Sequence, residues 1–462
     1  MSGFIKVLAL LLVVLTVFSA CQTAAPEIVP EYDFVTSEGD LGGFNAVFGW
    51  SGAQGENVLG FVFDTANADY AAKRIKDVEN ALNCKIDIYY DPDKIIGMLR
   101  AGVMSGSQPF DIMEGDGYHL VSDVRAGYLT GLKEYLDIEN TDKWGTPNML
   151  QSMLWNDDIY GVVPFAWPEL VYRTPGHLLA VNENLITSLG QPDPREFVEN
   201  YTWTWDLFEE KLEEYTFEEG GYTVYALRCH PAYFSINMFL SSGVALSALE
   251  NGSVVCGLYT DIGREAMQRA QDIYQVSHKH CFHPQTDSTG HDEFISGQAV
   301  MYLTWTYELT NDTKYIMYNM DNVGVLPFPQ GPHATPGKYL SYHEGLGYAT
   351  GIPANAKDPA ASALILSAIY EPFEEYKDKD SIVDYMTSQV FHDIRDTEVI
   401  LNSVRNTEYG FFKEGARKAL ENVLGTHDSV PQILDSLKNA YDEIVEKYMV
   451  PHYAARIAVY GE

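Results

Sequence analysis

The sequence predicts an α/β chain of two domains, and three observations carry that expectation. At 462 residues it exceeds the size, roughly 250 to 300 residues, at which one hydrophobic core stops growing. Its apolar fraction of 46% and charged fraction of 21% are those of ordinary soluble proteins, so each domain has a core to bury. From Phe44 onward, strand-like alternation and helix-like periodicity take turns along the chain, the order that builds a sheet with crossover helices.

The first set of elements begins with the strand "FNAVFGW". In "NADYAAKRIKDVENALN", Ala71, Ile75, Val78 and Leu82 share one helical face. "CKIDIYY" reads as a strand, "DKIIGMLRAGVMSG" as a helix stopped by glycine, and "PFDIMEGDG" as a short strand running into an acidic turn. This β-α-β-α-β order implies a parallel sheet, whose ligands sit beyond the carboxyl ends of the strands. The turn Glu114-Gly115-Asp116-Gly117-Tyr118 lies at such an end.

A second set begins near residue 164. Trp205, Phe208, Leu212 and Tyr215 form a helical stripe behind Thr204 as N-cap, which makes Trp205 a core residue and Trp203 a packing residue. There follow the strand-like "YTVYALR", a helix around "GREAMQRAQDIYQV", and "FISGQAVMYLTWTYE", which alternates through Tyr307 and reads as one strand. Ala299, Met301 and Leu303 belong to its packing, whereas an aromatic pair at a strand's end, Trp305 and Tyr307, projects into the adjoining loop or cleft. "VGVLPFPQGP" is again a strand. Asp358 caps, and Pro359 opens, the helix "DPAASALILSAIYEPF", and from about residue 374 the chain is mainly helical. No repeat and no low-complexity tract interrupts it.

Charge and composition exclude some functions. With Lys+Arg 30 against Asp+Glu 65 the formal net charge is −35, which argues against nucleic acid, whose binding rests on cations neutralising phosphates. Aromatic residues reach 13%, a supply suited to stacking on flat apolar faces. At the N-terminus, Lys6, the apolar run Val7–Phe18 and the small Ser19 and Ala20 before Cys21 form a secretory signal over residues 1–20, too short to cross a bilayer. Phe18-Ser19-Ala20-Cys21 resembles the lipobox of bacterial lipoproteins, with Phe18 where an aliphatic residue is usual. That resemblance implies cleavage before Cys21, acylation of its thiol and a membrane anchor, with residues 21–43 as a polar tether.

Cys84, Cys229, Cys256 and Cys281 are scattered without CxxC spacing, so no zinc ribbon or thioredoxin motif is available; a bridged pair and free buried thiols both remain open. In "SHKHCFHPQTDSTGH", His278, His280, Cys281, His283 and His291 carry donors suited to zinc. Without a CxxC or HExxH partner the stretch reads as an exposed loop between a helix and a strand. No metal and no cofactor is expected.

"SGSQPFDIM", "GYLTGLKEYL", "IYGVVPFAWPELVYR", "WTWDLFEEKL", "FISGQAVMYLTW", "VGVLPFPQGP" and "IPANAKDPAASALILSAIY" together resemble, in order and over most of the chain, the extracellular solute-binding proteins of ATP-driven importers, the maltose-binding-protein-like family. The resemblance implies a type II periplasmic-binding-protein-like fold: two hinge-linked lobes, each a mainly parallel sheet flanked by helices. Lobes of residues 44–163 plus 328–372 and 164–327 plus 373–462 are expected, with crossings near Gly161–Phe165, Leu326–Gln330 and Pro372. Where the family shows Tyr-Asn-Lys, this chain has Tyr172-Arg173-Thr174 and, later, Val181-Asn182-Glu183-Asn184.

A carbohydrate site needs aromatic platforms for sugar faces and acidic or amide groups for hydroxyls. Strand ends and crossings offer Trp50, Asp116, Tyr118, Trp167, Glu169, Trp305, Tyr307, Tyr342, His343 and Glu344. The function implied is a monomeric, lipid-anchored, extracytoplasmic receptor that delivers a carbohydrate to the permease subunits of an ABC transporter. The alternative is a secreted glycoside hydrolase, which needs two carboxylates at fixed separation; no pair stands out, and no Gly-x-Ser-x-Gly, P-loop or zinc-hydrolase motif is present.

Overall fold

The computed structural model describes residues 39–461 except 52–56, 59–60, 63–65, 92, 151–152, 165–175, 284–290, 310–315, 344–347, 410–422 and 425–427. The signal segment, Cys21 and the tether up to residue 38 lie outside the described residues. No helix among the described residues is long and apolar enough to cross a membrane. The strands that frame the site are, in chain order, β1 Phe44–Trp50, β2 Cys84–Tyr90, β3 Ile112–Asp116, β4 His177–Asn182, β5 Tyr222–Arg228, β6 Phe282–His283, β7 Ala299–Trp305, β8 Val323–Leu326, β9 Ser341–His343, β10 Tyr348–Gly351 and β11 Thr407–Tyr409. The helices used below are α1 Ala66–Ala81, α2 Ile95–Ser105, α3 Gly117–Arg125, α4 Trp205–Glu214, α5 Pro231–Ser241, α6 Asp261–Gln271, α7 Pro359–Ile369, α8 Ile394–Arg405, α9 Val430–Ile444 and α10 Val450–Tyr460.

The first sheet has the order β10-β3-β1-β2, with β1 parallel to β2 and β3 and β10 antiparallel to β3. Alternation in β1 sends Ala46, Phe48 and Trp50 inward; Ala71 and Val78 of α1 and Leu82 just beyond it are buried as their spacing predicts, and Ile75 is half-buried. Helix α2 ends where expected: Gly106 adopts φ 72° and turns its N–H back to Val103 O, a left-handed stop that costs glycine little. Arg74 lies on the buried face of α1 and caps α7, donating to the carbonyls of Ile369 (3.3 Å), Glu371 and Pro372 (3.2 Å). A fixed cation at a helix C-terminus satisfies carbonyls that have no partner within the helix.

The second sheet is mixed, with order β6-β5-β7-β4-β8. Strands β5, β6 and β7 are mutually parallel, but β4 runs antiparallel to both β7 and β8. Its core gathers Leu179, Val181, Phe208, Leu227, Phe234, Met301 and Leu303. The stripe of α4 is buried as expected, with Thr204 Oγ1 capping Leu207 N; each such side chain contributes roughly 1.5–3 kcal/mol. Trp203 is fully buried and donates to Pro327 O at 2.9 Å. Asp358 caps α7 through Ala361 N, with proline at its first turn.

Residues 327–331 stay with the second sheet, beyond the point where a return crossing is expected. Phe328 is part of its core, Gln330 N bonds Trp203 O at 2.9 Å, and Gly331 N bonds Ser241 O at 2.8 Å. The chain joins the first sheet at Tyr348. Of the C-terminal helices, α8 packs against β8, α9 against α6, and α10 against the hairpin at Leu154–Ile159. The four described cysteines are unbridged, and Cys229, Cys256 and Cys281 are buried.

Candidate functional site

At one end of the second sheet the side chains form a ladder of rings. β7 ends at Trp305, and because β4 is antiparallel its first residue, His177, lies directly opposite. The His177 ring is 4.1 Å from that of Trp305 and 4.2 Å from Tyr233, centroid to centroid. Tyr233 stands in the first turn of α5, beside His230 (4.9 Å), whose Nδ1 accepts the Ala232 N–H as N-cap. Asn237 Nδ2, one turn further along α5, is 3.1 Å from His177 Nδ1 and also donates to Tyr233 O at 2.7 Å. His177 and Tyr233 are buried, Trp305 is half-buried, and Tyr307 is 43% exposed.

The chain beyond Trp305 departs from the alternation read in the sequence. The strand stops there and Thr306–Leu309 forms a 3-10 turn. Buried Glu308 explains the turn: it accepts hydrogen bonds from Tyr302 Oη (2.9 Å) and Thr304 Oγ1, on the opposite face of the same strand from Trp305. Thr306 N and Oγ1 both bond Gly176 O. Burial pushes the Glu308 carboxyl above its ordinary range, partly offset by the Thr304 and Tyr302 hydroxyls. The result lays Tyr307 nearly parallel to Trp305, 21° between planes and 6.4 Å between centroids.

The corresponding end of the first sheet is polar. Asp116 closes β3, and antiparallel β10 sets its first residue, Tyr348, opposite it. Two residues back along β3, buried Glu114 accepts Ser51 Oγ at 2.6 Å. His119 Nδ1, on α3, lies 3.7 Å from Asp116 Oδ2. Desolvation, followed by the Glu114 and Asp116 carboxylates, raises the Tyr348 phenol above its ordinary value, so it stays a protonated donor. Trp50 is 5% exposed and packs edge-on to Phe48 at 5.8 Å. Its Nε1 is buried and meets no acceptor among the described residues.

The structure thus puts Trp305 and Tyr307 together on one sheet end and Asp116 on the other, with Trp50 largely enclosed rather than an open platform. Trp167, Glu169 and Glu344 lie outside the described residues, and of Tyr118, Tyr342 and His343 only the backbone is described. His177, His230, Tyr233, Ser51 and Tyr348 were not singled out by sequence reasoning, and Glu114 was read only as part of an acidic turn that is instead the end of β3 running directly into α3. His177 and Tyr348 escaped for one reason: each begins an antiparallel strand, while the carboxyl-end rule looks only at where strands finish. Tyr233 carried a signal in the His230-Pro231 helix start, which places it in a first turn.

A cavity of about 410 Å³ lies elsewhere, at the other end of α5, bounded by Ser241, Gln330, Asn148 and Arg456. Ser241 is eight residues along the helix from Tyr233, roughly 12 Å of rise, so the cavity is separate from the ring ladder.

The sequence model of the family described as bacterial extracellular solute-binding protein matches residues 83–372. No curated protein sequence matches the chain. Among solved structures, the chain is similar to the sugar-binding protein MalE from the phytopathogen Xanthomonas citri, with a TM-score of 0.62 and 15% identity over 87% of this chain and 98% of that one. It is similar also to a cyclic α-maltosyl-1,6-maltose binding protein from Arthrobacter globiformis (TM-score 0.62, 14% identity, 87% and 99% covered). An open conformation of a sugar transporter from Rhizobium etli gives a TM-score of 0.61 at 15% identity, with 86% and 99% covered. The likeness is one of fold, the two-lobe α/β fold of type II periplasmic binding proteins.

Proposed function

The chain belongs to the bacterial extracellular solute-binding protein family, and from that premise we propose that it binds a carbohydrate between its two sheet ends and delivers it to an ABC permease. The observation that carries the reading is the ring ladder His177, Tyr233, Trp305 and Tyr307, whose outermost ring is exposed. Stacked aromatics take the C–H face of a sugar. Asp116, Glu114, Ser51 and Tyr348 on the other sheet end supply acceptors and donors for its hydroxyls. The sugars bound by similar proteins, maltotetraose and cyclic α-maltosyl-1,6-maltose among them, support the same class.

In this reading the first lobe is built on β1, β2, β3 and β10 and the second on β4 to β9, with the solute favouring the closed arrangement in which both ends touch it. Trp167, Glu169, Tyr118, Tyr342, His343 and Glu344 are proposed as further ligand-binding residues. We further propose that Cys21 is acylated after removal of residues 1–20, tethering a monomer to the outer face of the membrane.

Calorimetric titration of the mature chain with maltodextrins, cyclodextrins and monosaccharides, followed by chromatography of the same samples, tests the function. Stoichiometric binding with unaltered sugar is expected; cleavage of the glycoside would return the hydrolase alternative. Mass spectrometry of the N-terminal peptide tests the anchor, and a Cys21→Ser chain found in the medium is the expected counterpart.

A further inference from the structure

Of the stretch expected to be an exposed loop, the described residues 277–283 form regular turns and a strand. Helix α6 runs on as a π-helical turn, Asp272–Ser277, and beyond His278 a 3-10 turn, Lys279–Cys281, leads into β6. Such π turns recur at functional sites, because the extra residue re-aims the side chains that follow. Here the turn aims two histidines at α4, where Glu209 and Glu213 stand one helical turn apart on a single face. His280 Nε2 is 3.0 Å from Glu213 Oε2, and His278 Nδ1 is 2.8 Å from Glu213 Oε1. The second ring nitrogen of His278 lies 3.3 Å from Glu209 Oε2.

Cys281 completes the group. It is buried, and its sulfur, a carboxylate oxygen of Glu213 and a ring nitrogen of His280 all lie within 4.8 Å of one another. Bonds of about 2.0 to 2.3 Å in tetrahedral geometry put zinc ligands roughly 3.3 to 3.8 Å apart, so these donors need move together by about an ångström. One imidazole, one thiolate and one carboxylate are a set that zinc accepts and that magnesium or calcium does not favour. Glu209 is already engaged by Arg269. It and His278 therefore serve as orienting partners, His278 holding the second oxygen of Glu213, a role that fixes ligand direction. The Glu213 and His280 side chains are 48% and 60% exposed, which leaves an entry path and room for a water as fourth ligand.

We propose that Glu213, His280 and Cys281 bind one zinc ion, tying helix α4 to the turn that leads into β6. On binding, the Cys281 S–H bond breaks, the sulfur's electron pair forms the metal bond and the proton leaves to solvent. No oxidant or reductant takes part. The site is independent of the carbohydrate reading.

The test uses the mature chain without an affinity tag, stripped with chelator and titrated calorimetrically with zinc chloride. One ion per chain is expected, with Kd weakened at least about tenfold in both Glu213→Gln and His280→Ala. Cobalt(II) in place of zinc should give a thiolate charge-transfer band that Cys281→Ser removes. Absence of saturable uptake, uptake unaltered by both surface variants, or a cobalt spectrum without the thiolate band would each overturn the proposal. Because Glu213 and His280 are surface residues, their variants decide the matter even if Cys281→Ser does not fold.

Discussion

The two sheet ends meet the proposed ligand with opposite chemistry. On the second sheet, His177, Tyr233, Trp305 and Tyr307 stack ring on ring, with His177 Nδ1 turned towards Asn237. On the first, Glu114, Asp116, Ser51 and Tyr348 present oxygen atoms on adjoining strands, while the aromatic Trp50 is packed away at 5% exposure. A sugar is itself two-sided, with C–H faces and a hydroxyl rim. On the proposed reading, recognition is divided between the lobes, one supplying contact area and the other direction. A solute bound by one lobe alone satisfies half its surface, which is what makes closure favourable.

Removing the area side should cost most. Trp305→Ala is expected to weaken sugar binding by about 2–3 kcal/mol, roughly 30- to 150-fold in Kd, while the half-exposed ring leaves the melting temperature within a few degrees of the parent. Parallel calorimetry and thermal denaturation check this; equal losses in both would return Trp305 to the core.

Removing direction should cost less. Asp116→Asn keeps shape but weakens the acceptor, and an effect of about tenfold in Kd is expected, since hydrogen bonds to charged groups contribute roughly 1.5–3 kcal/mol against about 1 for neutral ones. If Asp116→Asn outweighs Trp305→Ala, the division between the lobes is the reverse of the one drawn here.

The comparison is sharpened by an indirect substitution. Glu308 touches none of the rings on the proposed ligand face but holds the turn that carries Tyr307, so Glu308→Gln is expected to weaken binding about threefold through that ring. In a Tyr307→Ala background the same change should then add almost nothing, the non-additivity of residues acting through one another. Additive effects in the double-mutant cycle would disconnect Glu308 from the site.

The smallest effect concerns pH. The phenol of Tyr348 is raised in the folded protein, so between pH 7 and about 10 it stays a donor and affinity should be flat on its account. Above pH 10 the unfolded chain ionises its tyrosines first and binds fewer protons than the native one, so stability falls as pH rises. Tyr339, pushed up to about 12 by burial, adds to the same slope on the second sheet's side. Chemical denaturation at pH 8 and pH 10.5 measures it; greater stability at the higher pH contradicts the sign.

Local periodicity made most elements legible. The face of α1, the Thr204 cap with its Trp205 and Phe208 stripe, the glycine stop of α2 and the Asp358-Pro359 start of α7 all depend on neighbours within one or two turns, and all appear where their spacing puts them. Trp305 and Tyr307 were legible as terminal aromatics, but not as a stacked pair. Their stacking depends on Glu308 folding back on Tyr302 and Thr304, a three-residue hydrogen-bond arrangement that alternation does not encode. His177 and Tyr348 were invisible because strand direction is not a local property.

Composition and short-range pattern carried the α/β class, the two sets of strands and helices, the strongly negative net charge and the high aromatic content. Both act before any long-range contact forms. Only the tertiary structure decided which strands run backwards, and with them which rings and hydroxyls share an end. It also decided that Trp50 is packed beside Phe48 and that His280 and Cys281 stand beside Glu213. The physical reason is that burial and pairing are settled between residues scores of positions apart, where the energy of closing the sheet, not the preference of any one segment, chooses the neighbours.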